Sequence, residues 1–430
     1  MMGDGNKNKR KKKKRGGAKR RMTAEQTSAL KSVNEWVFMA EQSINNEGDE
    51  LKEKYDDFLP ESMYRARVSE KVVFELHTHS ICSDGFLTPS ALVEKAHQNG
   101  VKVLALTDHD TMSGIPEALE AAYRFGIKII PGVEISSVFS TRQVVQNDLE
   151  SEEPVHILAY YSSCGPARFE EFDQFLTSIR DGRFLRAKTM LSKLNNLKKP
   201  VKWENLMKIA GNGVAPGRLH VARALLEAGH VEDLKQAFDR YLYDGGPAYS
   251  KGSEPPAEEA VEMVCKTGGI AVLAHPWALK NPLPVVKRLK EAGLHGIEVY
   301  RSDGKLAVYS DYADAYGLIK LGGSDYHGRG GRAESPLGSV NLPVLSAYDF
   351  LKIARPIWCN AIRETLEQYI KDPSELNLKH ITRFGIKRVT ANTCEKNIIN
   401  ICLRLWLTSE EMQHSDFRDT MLKLTEILLH

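Results

Sequence analysis

The chain has six cysteines, Cys82, Cys164, Cys265, Cys359, Cys394 and Cys402, and no CxxC pair among them. That scatter argues against a thiolate zinc site or a disulfide framework and fits a reducing compartment, with the thiols acting as small buried apolar groups. Long apolar runs are missing too. No stretch approaches the ~18 residues that a membrane-spanning helix needs, and the N-terminus has no apolar secretory segment. A soluble intracellular chain without a membrane partner is therefore expected. No internal repeat is evident. The glycines of KLGGSDYHGRGGR are not followed by the Lys-Ser/Thr of a Walker loop, so they read as turns.

Acidic residues are scarce at one end only. Residues 1–22 hold 11 Lys/Arg and one acid, so the remaining 48 basic and 55 acidic side chains leave the body near −7 although the formal total is +3. This tail, with KNKRKKKKRGGAKRR inside it, has too little apolar content to fold. It is expected to be a disordered arm that contacts nucleic acid or the import machinery, which puts the chain in the nucleus, the cytoplasm or both. A merely solubilising tail is the bland alternative.

At 430 residues and 48.2 kDa the chain can bury a large core. Thr23 with Gln26 resembles a capping box, and Leu30, Val33, Val37, Ala40 and Ile44 recur at helical spacing, which predicts a helix over 23–46. It begins a helical segment over 23–69. A main domain is expected over 70–345, where short β-branched runs (KVVFEL, KVLAL, KIIPGVEIS, PVHILAYY, GGIAVLAHP) alternate with helical patterns. Residues 166–248 read as a helical insertion rich in arginine. A mostly helical extension, either a docking surface or more core, fills 346–430.

Nearly every strand run ends in an ionisable residue: His77 and His79, Asp108 and His109, Glu134, His275, then Asp325 and His327, while His156 lies within its strand. In a closed parallel barrel the carboxyl ends of all strands converge on one face, so these side chains would crowd one pocket. Crowded imidazoles and carboxylates without cations cost several kcal/mol, whereas divalent metals turn them into ligands. Residues i and i+2 of a strand face the same way, so His77 and His79 form a two-nitrogen pincer with Thr78 turned aside, and Asp84 returns from the following loop. Imidazole plus carboxylate without thiolate suits Mn²⁺, Zn²⁺ or Fe²⁺ better than Mg²⁺ or Ca²⁺. Asp110 is expected to hold a ligand imidazole from behind.

The order H-x-H-x₄-D, TDHDT, PGVEIS, VHILAYY, LAHP and GSDYH, running over about 72–345, resembles the PHP (polymerase and histidinol phosphatase) family. More narrowly it is similar to the branch that hydrolyses 3′,5′-bisphosphate nucleotides and trims RNA from the 5′ end. The resemblance implies a distorted (β/α)7 barrel with two or three divalent ions; the donor set puts manganese first, with zinc or iron as alternatives. It implies His77, His79, Asp84, His109, Glu134, His156, His275, Asp325 and His327 as ligands, with Glu134 bridging two ions. It also matches PGRLHVARALLEAG, keeping Arg218, His220 and Arg223 while Leu219 stands where the family has proline, and AFDRYLYDGGPAYSKG, which includes Lys251.

The expected activity is hydrolysis of phosphate esters by metal-activated water, on nucleoside 3′,5′-bisphosphates and on short 5′-phosphorylated RNA. His220, His327 or a metal-bound water is the candidate proton donor to the leaving oxygen, and the sequence does not choose among them. A second phosphate needs cations away from the metals, for which Arg218 is the first candidate, followed by Arg183, Arg186, Arg223 and Lys251. Two rivals remain: a phosphatase for another small ester such as histidinol phosphate, and a nucleic-acid-binding protein whose barrel is only a scaffold. Trp36, Trp203, Trp358 and Trp406 read as core. Trp277 follows LAHP directly, where it would pack or stack a base.

Overall fold

The computed structural model describes residues 22–38, 72–140, 152–211, 213–305, 307–331, 334–384, 395–404 and 406–428. The basic tail and the acidic stretch after Ser140 fall outside them. Seven strands form one curled sheet in chain order: β1 Val73–Glu75, β2 Val101–Leu106, β3 Lys128–Ser140, β4 Glu152–Tyr160, β5 Ile270–Leu273, β6 Gly296–Glu298 and β7 Ile319–Leu321. Just past β1 and β7 the two edges meet through an isolated parallel bridge between Thr78 and Tyr326, where His79 N donates to Tyr326 O at 2.9 Å. Gly323 permits this approach, because a Cβ there would stand 2.5 Å from His77 N.

The expected all-parallel order fails at one strand. β4 is antiparallel to both β3 and β5. β3 is 13 residues long and pairs with β4 from Gly132↔Tyr160 to Ser140↔Glu152. Only 11 residues separate the two strands, and a parallel return needs a crossover of a dozen or more, generally built around a helix. A long hairpin is the connection that length allows.

Fifteen helices complete the described chain. The N-terminal helix is α1, Ala24–Val37, with the expected Thr23/Gln26 capping box; its predicted continuation to residue 46 lies outside the described residues. Around the barrel come α2 Pro89–Gln98 and α3 Ile115–Phe125. Next are α4 Phe169–Asn196, α5 Trp203–Ala210, α6 Arg218–Glu227 and α7 Leu234–Ala237 in the region of the insertion, then α8 Ala257–Lys266, α9 Pro282–Glu291 and α10 Ala307–Tyr316. The C-terminal part holds α11 Val344–Lys371, α12 Glu375–Thr382, α13 Glu395–Arg404, α14 Ser409–Gln413 and α15 Ser415–Ile427.

The sheet separates two apolar layers. Outward residues such as Leu104, Ile129, Val133, Ile157, Leu273 and Ile297 pack with Leu92, Ile115, Val261 and Val286 of the surrounding helices. Inward residues Phe74, Leu76, Val103, Ile130, Leu158, Tyr160, Val272 and Leu321 pack instead with Trp36 of α1 and with Phe350, Trp358, Leu403, Trp406 and Phe417 of the C-terminal helices. These terminal helices therefore fill the base of the barrel. Trp358 is the keystone there: its indole N–H donates to Tyr160 O at 3.1 Å, and its ring meets Phe350 and Trp406 edge-on at 5.8 and 5.4 Å.

Helix α4 belongs to two cores at once. Phe172, Leu176 and Ile179 join the outer layer, whereas Ala187, Met190 and Leu194 join a third cluster with Leu206, Val221, Leu225 and Leu242. Its 28 residues, about 40 Å at ~1.5 Å per residue, thus carry the chain from the barrel to the insertion, and the arginines between the two apolar stretches fall at the mouth.

Replacing Trp358 with Ala leaves a large cavity and an unpaired Tyr160 carbonyl in the base of the barrel. A loss of about 3–5 kcal/mol is expected, read as an earlier midpoint in urea unfolding. An unchanged midpoint would mean that the terminal helices are not integral to the barrel.

Candidate metal centre

The inward positions change character on the way up the barrel. Below, they are Leu76, Ile130, Val272 and Leu321; above, on the same elements, stand His77 and His79, Glu134, His275 and Asp325. β4 runs the other way, so its ionisable residue precedes its apolar ones, and His156 pairs with Ser136 two residues above Glu134. His109 reaches Glu134 through an isolated bridge beyond β2.

Glu134 is the hub. Its Oε2 lies 3.1 Å from His77 Nε2, 3.1 Å from His79 Nε2 and 3.4 Å from His109 Nδ1, while its Oε1 lies 2.9 Å from His156 Nδ1 and 3.0 Å from His275 Nε2. Five imidazoles therefore share one carboxylate that is 1% exposed. Asp325 Oδ1 stands 3.1 Å from His79 Nε2 and 3.4 Å from His77 Nε2; Asp84 Oδ1 stands 3.3 Å from His327 Nε2. All nine ligands expected from the sequence converge here.

Proximity without hydrogen bonding marks the centre as a cation site. His77 Nε2, both ring nitrogens of His79 and His109 Nδ1 are buried and make no aligned hydrogen bond, although carboxylate oxygens are close. Orphaned nitrogens are costly in a dry interior and are accounted for when they point at a shared ion. Three overlapping groups have ligand atoms mutually within 4.8 Å: His79, Asp84, His109 and His327; His77, His79, Glu134 and Asp325; and His109, Glu134 and His156. His275 lies outside those three sets but against Glu134.

The protonation states agree. Burial opposes charge throughout, yet the imidazoles His109, His77 and His156 hold Glu134 well below the usual carboxylate range, and His327, His109 and His79 do the same for Asp84. Burial keeps His109 well below the ordinary imidazole value, hence neutral and able to ligate. Burial also disfavours the cation at His79, but the close carboxylates of Asp325 and Glu134 outweigh it and lift His79 to about 10. A divalent ion must therefore displace protons to bind.

Several supporting carboxylates escaped the sequence reading. Glu298, ending β6, accepts from His275 N at 2.7 Å and contacts His77 Nδ1 at 3.2 Å, so it orients that ring. Glu75 accepts from Ser324 N and Gly338 N, each at 2.8 Å, tying β1 to the loops after β7. Glu334 caps the backbone N–H groups of His327, Gly328, Arg329 and Gly330. The first two interrupt apolar strand runs, a visible signal; Glu334 sits among glycines and carries none. Asp108 turns to the loop that presents Asp84, accepting from Ser80 N, Ser80 Oγ and Ser83 Oγ, each at 2.7 Å. Backbone strain is concentrated here as well: of four non-glycine residues with positive φ among the described residues, Asp110 (55°), His275 (26°) and Asp325 (51°) border the centre.

Asp110 does not hold an imidazole, against expectation. Its Oδ1 accepts from Ser136 N at 2.7 Å and its Oδ2 pairs with Arg183 Nε at 2.8 Å, which fixes the α4 arginine at the mouth; Arg183 also donates to Ser136 Oγ. Imidazole orientation falls to Glu298 instead. Arg186 pairs with Glu254 at 2.6 Å, and both Arg186 and Arg218 lie against the Tyr249 ring, at 5.7 and 5.8 Å. Arg218 also pairs with Asp244. Arg223 covers the Phe86 ring at 4.6 Å, and Lys251, exposed, pairs with Glu152 at 2.7 Å. His220 is buried at the start of α6, where its Nδ1 accepts from Gly217 N at 3.0 Å; burial holds it near pKa 4.

The sequence pattern of the PHP domain matches residues 75–243. The chain is 33% identical over 295 residues to a 3′,5′-nucleoside bisphosphate phosphatase of Chromobacterium violaceum, covering 66% of this chain and 94% of that one. It is 32% identical over 265 residues to the 5′-3′ exoribonuclease Rnm of Salmonella typhimurium, covering 60% and 85% respectively. A solved structure from Bifidobacterium adolescentis, described as a metal-dependent phosphoesterase, superposes with a TM-score of 0.56 at 27% identity over 66% of this chain and 96% of its own.

Two outcomes follow. Binding of a divalent ion near pH 7.5 releases protons, because the His79 proton, held to about pKa 10 in the metal-free centre, must leave; calorimetry in buffers of different ionisation heat will show a buffer-dependent enthalpy, and no dependence would refute the assignment. Glu298→Gln lowers metal affinity by roughly 10–100-fold, measured by competition with a metallochromic chelator.

Proposed function

The chain belongs to the PHP family, and we propose that it is a metal-dependent phosphoesterase acting on nucleoside 3′,5′-bisphosphates and on short 5′-phosphorylated RNA. The observation that carries this is the Glu134 hub: one buried carboxylate facing five imidazoles, two of which it hydrogen-bonds while three present unpaired nitrogens to it. We assign His77, His79, Asp84, His109, Glu134, His156, His275, Asp325 and His327 as ligands of two or three divalent ions, manganese before zinc or iron, with Glu134 shared. Such ions supply acidified water and offset phosphoryl charge. The protein's own share is placement.

That placement has two parts. Glu298 aims His77, and Asp108 and Glu334 brace the loops that carry Asp84 and His327. On the other side, Arg183, Arg186 and Arg218 gather where α4 meets the insertion and offer guanidinium forks to a second phosphate. Arg183 is the member tied to the centre, through Asp110 and Ser136. That second charge is what favours a bisphosphorylated substrate over histidinol phosphate.

His220 is withdrawn as proton donor. With its pKa near 4 it lacks a proton to give at neutral pH, and its Nδ1 is engaged in capping α6. It is a positioning residue; His327, whose Nδ1 meets Asp325 O at 2.8 Å and whose Nε2 faces Asp84, is assigned as a ligand, which leaves ion-held water as the proton source for the leaving oxygen. The basic tail is proposed to add electrostatic affinity for RNA or to serve import into the nucleus; deleting residues 1–22 should weaken RNA retention without abolishing turnover.

Manganese-loaded protein is expected to release phosphate from adenosine 3′,5′-bisphosphate faster than from histidinol phosphate and to stop on chelation. The reverse preference would sink the nucleotide reading. Arg183→Gln should raise KM for the bisphosphate by roughly 10–100-fold, the size of a lost charge-assisted contact, and raise it much less for adenosine 5′-monophosphate.

A further inference from the structure

Four of the five tryptophans pack into cores: Trp36, Trp358 and Trp406 into the barrel base and Trp203 against the insertion. Trp277 joins none of the three clusters. It follows His275 in a short 3₁₀ turn, Pro276–Ala278, with its ring 6.4 Å from the His275 ring. The Arg301 guanidinium lies 4.5 Å above the indole centroid, and Tyr309 meets the ring edge-on at 6.2 Å. Trp277 is half-buried.

The position is informative. His77, His79 and Glu134 are sealed, whereas the side chains of His156, His275 and Asp325 are 26%, 21% and 41% exposed, so the centre opens on the His275 side. Phosphoester hydrolysis does not need an indole there, and no core claims it. An aromatic plate reinforced by a guanidinium is what single-stranded nucleic acids stack on, because every base offers a π face. The same arginine would repel the imidazolium of histidinol phosphate.

We propose that Trp277, backed by Arg301, is the nucleobase platform of this centre, holding the base while the scissile phosphate sits at the ligand cluster and the other phosphate meets the arginines. The inference rests on the nucleotide phosphoesterase reading and sharpens it: the base, not only the phosphates, is recognised.

The test compares adenosine 3′,5′-bisphosphate with a base-free ribose bisphosphate, in the wild-type full-length protein and in Trp277→Leu and Trp277→Phe. In Trp277→Leu the ratio of the two kcat/KM values falls by roughly 10–100-fold, the size of one lost base–aromatic stack; Trp277→Phe, which keeps a π face, retains most of it. An unchanged ratio in Trp277→Leu, or equal losses on both substrates, would overturn the platform. Equilibrium binding of adenosine 5′-monophosphate against ribose 5-phosphate must show the same shift. That measurement stands apart from turnover: a wild type that cleaves neither bisphosphate defeats the phosphoesterase reading, while a Trp277-dependent preference for the base would still uphold the platform.

Discussion

A single buried carboxylate sets the terms for this molecule. Glu134 lies in the dry upper part of a barrel and is kept ionised by the imidazoles around it. Such a group is tolerated only when positive charge is gathered round it on every side. Five histidines from four separate segments surround it, and three of them approach without forming hydrogen bonds. Much of the surrounding structure follows from the need to hold those rings still: the bridge between Thr78 and Tyr326, the bare backbone at Gly323, the positive φ of His275 and Asp325, and the buried acids behind the rings.

Holding the rings is only half of the design, since a phosphoesterase must also meet its substrate. The reversed strand and the long helix solve this together. Because β3 overshoots the mouth and returns as β4, Ser136 and His156 sit side by side at the rim. Because α4 spans two apolar cores, its arginines arrive at that same rim, where Asp110 takes hold of Arg183. Ligand cluster and cation cluster are thereby joined through one carboxylate and one hydroxyl. Below them the terminal helices close the barrel with a tryptophan cluster, and Lys128 bridges the two ends, its ammonium donating to Trp36 O at 2.9 Å and lying 4.3 and 5.3 Å from the Trp36 and Trp406 rings.

The gathering of these side chains was legible in the sequence because strand periodicity and a barrel's converging ends are local rules that need no coordinates: His77 and His79 had to share a face, and Glu134, His275 and Asp325 had to follow apolar runs. So was the capping box of α1, which uses residues three apart. What stayed hidden depended on distance in the chain. The direction of β4 is a choice between a hairpin and a crossover, made by the length of an intervening segment rather than by any residue within the strand. Asp110 lies beside His109 in sequence, yet its partner comes from α4, more than seventy residues on. Glu298 looked like one more strand residue until β6 was set beside β5. Chemistry was written into the order of the residues, whereas the pairing of those residues belonged to the packed barrel, since contact energies fall off over a few ångströms and only the closed sheet brings remote segments within that range.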